Sequence, residues 1–348
     1  MRRQSDLITI ILPTCNTRRE YLLCAINSIL AQSYRKFELI IINDGGREDK
    51  EVVKSLRDSR IKIIDHEKSR GIAASLNEAI SVAGGKYIMR MDADDYALPN
   101  RIMTQYNFME SHPDIDICST YAKFFGDKHS IEGAPFTKNS YLKSELFISN
   151  VFIHPAVMFR KTSIDRFDIR YDETFIYAQD YELWSRLSRE TECRFAVIPR
   201  VCLFYRSHRN QISFNRSSTQ RKFYDLAGRN NLQYLGVDLK NGDAERCLTA
   251  LRGRGGSVSI ESMRKFINEC IIRNNEAEVY DPKTFKRIMR KDLFMQENKF
   301  KKNVVIAIRA IRRPYVLIFY SEKFLLKCRA FLSVIRYYWL YKRINKED

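Results

Sequence analysis

The 348-residue chain has eight cysteines but no Cys-x-x-Cys pair, which excludes a zinc ribbon and a dithiol redox motif. Most of the eight (Cys15, Cys24, Cys118, Cys193, Cys202, Cys247, Cys270 and Cys328) sit in apolar runs. Buried free thiols in a reducing, cytoplasmic setting are therefore expected. Two phosphate cradles are missing as well. No Gly-x-Gly-x-x-Gly follows the first strand-like run. "GGKY" at 84–87 lacks a glycine five positions before Gly85 and a Ser or Thr after Lys86. The dinucleotide fingerprint and the P-loop are thereby excluded. The opening "MRRQSDLITIILP" has two arginines but no small-residue cleavage site, so it reads as a first strand rather than a signal peptide. Neither an internal repeat nor a low-complexity linker is found.

What the chain does have is core and charge. Its 45% hydrophobic and 12% aromatic content suits a packed protein, and the length suits one large domain with an appendage, or two domains. The formal charge is +18, from 60 basic against 42 acidic residues, which calls for an anionic partner: nucleic acid, anionic lipid or a phosphorylated substrate. The excess concentrates at the end, where Lys299–Asp348 holds 13 basic and 3 acidic residues.

Over the first 110 residues, "LITIIL", "FELIII", "IKII" and "KYIMRM" read as short strands. Helical spacing fills Tyr21–Ala31, Glu48–Leu56 and Ile72–Val82 between them. Buried strands alternating with amphipathic helices specify an α/β fold, a mostly parallel sheet covered on both faces. Ligands of such sheets bind beyond the carboxyl ends of the strands. Each strand here ends in polar residues: "PTCN", "NDGG", "DHEKSRG" and "DADD". Further on, "DIDICSTYAKFF" and "VFIHPAVMFR" read as strands, "QDYELWSRLSRE" as a helix and "RFAVIPRVCLFYR" as a strand pair broken at Pro199. Residues 217–300 read as several helices with a break at "RGRGG".

Asp92, Asp94 and Asp95 fall within four positions. Carboxylates so close repel one another unless a cation sits among them. Hard Mg²⁺ or Mn²⁺ fits such oxygen ligands and shares its shell with substrate phosphates. The alternative is a solvated acidic turn, against which the three neighbouring polar strand ends argue.

Six blocks, "ITIILPTCN", "SILAQSYRKFELIIINDGG", "SRGIAASLNEAI", "GKYIMRMDADDYALPNRI", "HPAVMFRK" and "QDYELWSRL", together resemble the family 2 glycosyltransferases of the GT-A fold. The likeness is greatest to non-processive bacterial enzymes that build capsule, exopolysaccharide or O-antigen chains. It covers roughly residues 7–210. It implies a GT-A catalytic domain over 1–215 (a nucleotide-binding half to about 110, an acceptor half from 111), followed by a helical region at 216–298. The implied activity is metal-dependent, inverting transfer of a hexose from a nucleotide sugar, with UDP as the expected nucleotide, to a glycan or lipid-linked glycan in surface-polysaccharide biosynthesis. Pro13, Thr14 and Asn16 would line the nucleotide pocket. Asp44 would accept from the uracil imide, and Arg70 would lie near the base or diphosphate. Asp94 would be the direct metal ligand, with Asp92 nearer the ribose and Asp95 completing the cluster. Asp180 takes the place of the general base; the alternative is a charge at a helix N-terminus. Gln179 stands where the family has Glu. His208 and Gln211 are candidates to close over the diphosphate, or surface residues of a basic loop. His154 would face the acceptor or be structural.

In 299–348, Leu317, Tyr320, Phe324, Cys328, Phe331, Ile335 and Tyr338 step by three and four among lysines and arginines. The longest uncharged run in this tail, "PYVLIFYS", is far short of the roughly 20 residues that span a bilayer. A basic amphipathic helix suits an anionic membrane surface, here the inner face of the cytoplasmic membrane. Packing on the catalytic domain, or on a second copy in a homodimer, is the alternative. A sugar-nucleotide nucleotidyltransferase would carry a Gly-rich basic loop after its first strand, which "PTCNTRRE" is not. A nucleic-acid-binding protein would place its charge in a recognised motif rather than an apolar tail.

Overall fold

A computed structural model describes residues 6–135, 137–208, 218–239, 242–253 and 258–300, with side chains described as far as Lys291. The chain divides into two compact units, Met1–Phe294 and Met295–Asp348. The basic tail from 301 onward, and Gln211, lie outside the described residues.

In chain order the first half contains β1 (Ile8–Thr14), α1 (Arg19–Leu30), β2 (Phe37–Asp44), α2 (Arg47–Ser55), β3 (Ile61–His66), α3 (Ile72–Val82) and β4 (Tyr87–Arg90). Next come β5 (Tyr96–Ala97), α4 (Arg101–Ser111), β6 (Ile117–Gly126), β7 (Ser130–Glu132) and α5 (Asn139–Leu146). A 3₁₀ turn at His154–Ala156 leads to β8 (Met158–Arg160), α6 (Lys161–Arg166), α7 (Gln179–Glu190) and β9 (Phe195–Ser207). Four helices follow: α8 (Ser218–Tyr234), α9 (Asp243–Leu251), α10 (Ile260–Ala277) and α11 (Pro282–Phe300).

The strands form one nine-stranded sheet, ordered β3-β2-β1-β4-β8-β6-β9-β5 with β7 beside β6. β1 to β4 run parallel, while β8 is antiparallel to both β4 and β6. Strand alternation sends Ile8, Ile10 and Leu12 to one face, against Leu22, Ile26 and Ile29 of α1. Ile11, Ile40 and Ile42 face the other way, onto Leu76 and Ile80 of α3 and Trp184 of α7. Helices on both faces follow from that double apolar patterning.

Two expectations need correction. "VFIHPAVMFR" is a strand only at its end; Pro155, which has no N–H for a ladder, sits in the 3₁₀ turn instead. Nor does Pro199 divide a strand pair. β9 runs through it, and the register steps from Thr120↔Ile198 to Tyr121↔Val201, leaving Pro199 and Arg200 in a bulge where no ladder donor is required. Two short strands lie outside the sequence reading: β5, just after the aspartates, pairs Tyr96 with Phe204 of β9, and β7 pairs Ile131 with Lys123 of β6.

Candidate functional site

The parallel run β3-β2-β1-β4 brings four polar strand ends to one edge of the sheet. At the end of β4, carboxylate oxygens of Asp92, Asp94 and Asp95 all lie within 4.8 Å of one another. A cation within the chain already stands among them. Arg90, the last residue of β4 and 5% exposed, pairs through Nη2 with Asp92 Oδ1. Its Nε and Nη1 have no hydrogen-bond partner among the described residues, and neither does Oδ2 of the fully buried Asp95. Burial raises the Asp92 and Asp95 carboxyls above the usual carboxylate range, with neighbouring aspartates adding to the rise and Arg90 opposing it. Buried Arg101 of α4 holds the strand end by donating from Nη2 to Arg90 O at 2.8 Å; burial pulls its own pKa down to about 10.

β9 closes the cluster from the other side. The Arg206 N–H donates to Asp95 Oδ1 and its Nε to Asp94 O, both at 2.8 Å. Its guanidinium lies between the Tyr21 and Phe125 rings, 3.9 and 4.6 Å from their centroids. His208 Nε2 is 3.2 Å from Asp94 Oδ2. This oxygen-only donor set suits a hard divalent cation. Arg90 thus meets one Asp92 oxygen, β9 one Asp95 oxygen and His208 one Asp94 oxygen, so each of the three carboxylates is engaged on one side by a protein group.

The second cluster lies at β2 and β3. Asp44 Oδ1 accepts from Arg70 N at 2.8 Å and faces His66 Nδ1 at 2.8 Å; Oδ2 accepts from Ser69 Oγ at 2.7 Å and Gly71 N at 3.0 Å. Burial acts to raise its pKa, but the four donors outweigh burial and hold it at about 2. Asp44 thus fastens the 69–71 loop, an assignment its sequence position did not reveal. His66 Nε2 and Arg70 Nη1 both meet Glu78 Oε2, at 3.0 and 2.6 Å. Gly45 is required where the loop crosses: its φ is +83°, and a Cβ there would lie 2.6 Å from Ser69 N. At β1, Pro13 and Thr14 are buried. The Thr14 hydroxyl donates to Asp49 Oδ2 at 2.8 Å, and Asp49 also accepts from Thr17 N. Asn16 is exposed with φ +54°.

Asp180 lies in the first turn of α7 and accepts from Asn150 Nδ2 at 2.7 Å. Burial raises its pKa against the Tyr181 N–H, Arg90 and Asn150, and its charge in turn raises Asp92. Gln179, half-buried, begins the helix. His154 is 8% exposed, with Nε2 2.7 Å from Tyr171 Oη and its ring against Trp184. Burial, then Arg90, holds its pKa well below the usual histidine value, so it is neutral. Sequence reasoning missed Arg90, Asn150, Arg206 and Asp49. For Arg90 the signal was present: an arginine inside an apolar strand run, two positions before the first aspartate.

The family model described as Glycosyl transferase family 2 matches residues 9–167. An uncharacterized glycosyltransferase of Methanocaldococcus jannaschii is 31% identical over 225 residues, covering 62% of this chain and 76% of the relative. WfaP of Escherichia coli, a UDP-Glc:alpha-D-GlcNAc-diphosphoundecaprenol beta-1,3-glucosyltransferase, is 26% identical over 67% of this chain and 88% of its own length. Among solved structures, S. aureus TarS in complex with UDP-GlcNAc superposes with a TM-score of 0.57 at 16% identity, over 83% of this chain and 92% of that one.

Proposed function

Because this chain belongs to glycosyl transferase family 2, we propose that it transfers a hexose from a UDP-sugar to a glycan or lipid-linked glycan acceptor in surface-polysaccharide assembly. The observation that carries this reading is the three-aspartate cluster, with oxygens within 4.8 Å of one another at the end of β4. The UDP-sugar named for WfaP and the nucleotide sugar in the TarS complex favour a UDP donor.

In this reading Asp180 takes the proton from the acceptor hydroxyl. The acceptor oxygen bonds to the anomeric carbon as the bond from that carbon to the β-phosphate oxygen breaks. The electron pair leaves with UDP. A single displacement inverts the anomeric centre. Asp94, with Asp92, would hold Mg²⁺ or Mn²⁺, which when bound offsets the charge of the diphosphate. Arg206 adds positive charge at that edge with His208 beside Asp94, and the loop fastened by Asp44 would line the nucleotide pocket alongside Pro13, Thr14, Asn16 and Arg70. No described helix is long and apolar enough to cross a membrane. The basic tail supports peripheral contact with anionic lipid, where a lipid-linked acceptor would be met.

The test is a thermal-shift panel of UDP, GDP, TDP and CMP, each with and without Mn²⁺, on wild type and Asp94→Ala. Ligand at 100 times its Kd adds about 2.7 kcal/mol of stability. The expected result is a UDP shift that needs Mn²⁺ and disappears in the variant. A metal-independent UDP shift that survives in Asp94→Ala would remove the metal from the reading; a preference for GDP or TDP would replace the donor.

A further inference from the structure

The Asp180 carboxylate is held by Asn150, and Asn150 is in turn contacted from the helical region, beyond the family-matched segment 9–167. Asn150 makes three hydrogen bonds. Its Nδ2 donates to Asp180 Oδ2 at 2.7 Å, its Oδ1 accepts from Phe152 N at 3.0 Å, and its backbone N donates to Tyr224 Oη at 2.8 Å. The Phe152 bond fixes which end of the amide is oxygen, so the Asp180 end must be the donor. Tyr224 belongs to α8, and its ring stacks on Tyr181, the neighbour of Asp180, at 4.3 Å and 15°.

Arg252, which follows α9, closes the back of this arrangement. It donates from Nη2 to Tyr181 Oη at 3.1 Å and from Nε to Ile148 O at 2.6 Å, and pairs with Asp225 at 3.1 Å. The guanidinium passes over α8 at Gly228, where a Cβ would lie 2.0 Å from Nη2. Two helices after the sheet are thus fitted, through a glycine, an arginine and a tyrosine, to one asparagine whose free end reaches a single carboxylate oxygen.

We propose that Asn150 is a positioning residue for Asp180, braced by Tyr224 and Arg252, so that the helical region sets the orientation of the group receiving the acceptor proton. This rests on the role of Asp180 proposed above. Anchoring one oxygen fixes the plane of the carboxylate. A base misdirected by a fraction of an ångström loses rate without losing substrate affinity.

The experiment uses the full chain with Mn²⁺ and measures UDP release from UDP-glucose, UDP-N-acetylglucosamine and UDP-galactose with a GlcNAc-diphospholipid acceptor. Asn150→Asp keeps the shape and the Phe152 contact but turns the donor into an acceptor. It should lower kcat about 10- to 100-fold, the worth of one charge-assisted hydrogen bond, while KM for the UDP-sugar changes less than about twofold and the UDP thermal shift persists. Tyr224→Phe keeps the ring stack and should lower kcat about 3- to 10-fold. The double variant should be no slower than Asn150→Asp alone. Wild-type kcat in Asn150→Asp, a loss carried by KM, or an additive double variant would overturn the proposal. If wild type releases no UDP from any pair, the functional reading falls instead. The tie is then decided by urea unfolding of Asn150→Asp, Asp180→Asn and the double variant: coupled effects support it, and additive ones refute it.

Discussion

Asp44 illustrates how much of a residue's work depends on partners far along the chain. "NDGG" is legible as a turn at a strand end, but nothing in those four letters says that Ser69, Arg70 and Gly71 will bring three donors to one carboxylate. Its folded pKa of about 2 lies below the ordinary value near 3.9. The stability it contributes is therefore present above about pH 4 and lost as pH falls through about 2. Asp44→Asn should cost about 2–3 kcal/mol at pH 7. The gap in urea midpoint between wild type and variant should close between about pH 4 and 2; a constant gap would mean that the carboxylate's charge is not what holds the loop. Arg90 is the opposite case. Its place at a strand end before the aspartates can be read directly, yet sequence pattern alone leaves open whether such an arginine turns to solvent or inward, and packing turns it inward.

Among the elements, the alternation of buried strands with helices was legible because each sheet face is covered: period two and period 3.6 alternate without ambiguity from β1 to β4. The reading weakened from 151 on. By pattern alone Pro155 falls within a strand and Pro199 breaks a strand pair, whereas tertiary pairing makes one part of a 3₁₀ turn and the other part of a bulge. The start of α7 was legible to the residue, but its entry was not. Ala178 precedes the helix with φ +54°, and its carbonyl accepts from Glu182 N at 2.9 Å. A left-handed alanine costs roughly 1–2 kcal/mol, so Ala178→Gly should be neutral or stabilising by up to about 1 kcal/mol. Ala178→Val, β-branched, should lose about 1–3 kcal/mol as strain and slow transfer by displacing Asp180. Equal stability of the two variants in urea would show that the entry carries no strain.

For the whole molecule, the segment that follows α5 and the later helices share a core. Phe147 and Ile148, which follow α5, pack with Leu232, Cys247, Phe266, Ile267 and Phe285. A chain ending at residue 215 leaves those two side chains without their cover and should be recovered as aggregate or as a molten species. A chain ending at 300 retains the described cores and should melt cooperatively, while losing retention on anionic vesicles if the tail binds lipid. A soluble, cooperatively melting 1–215 fragment would overturn this view. Composition could not reveal the shared core, because a helix's pattern shows that it has an apolar face and not what that face meets.

Arg206 and Tyr224 belong to one continuous length of chain. Its near end is fastened at Asp94 and Asp95, and its far end, through Asn150, at Asp180. The carboxylates proposed for the departing nucleotide and for the incoming hydroxyl are thus held from β9 and, through Asn150, from α8. In the proposed reading, a change that shifts β9 is felt first on the donor side and one that shifts α8 on the acceptor side, so the two halves of the reaction can be tuned by separate substitutions.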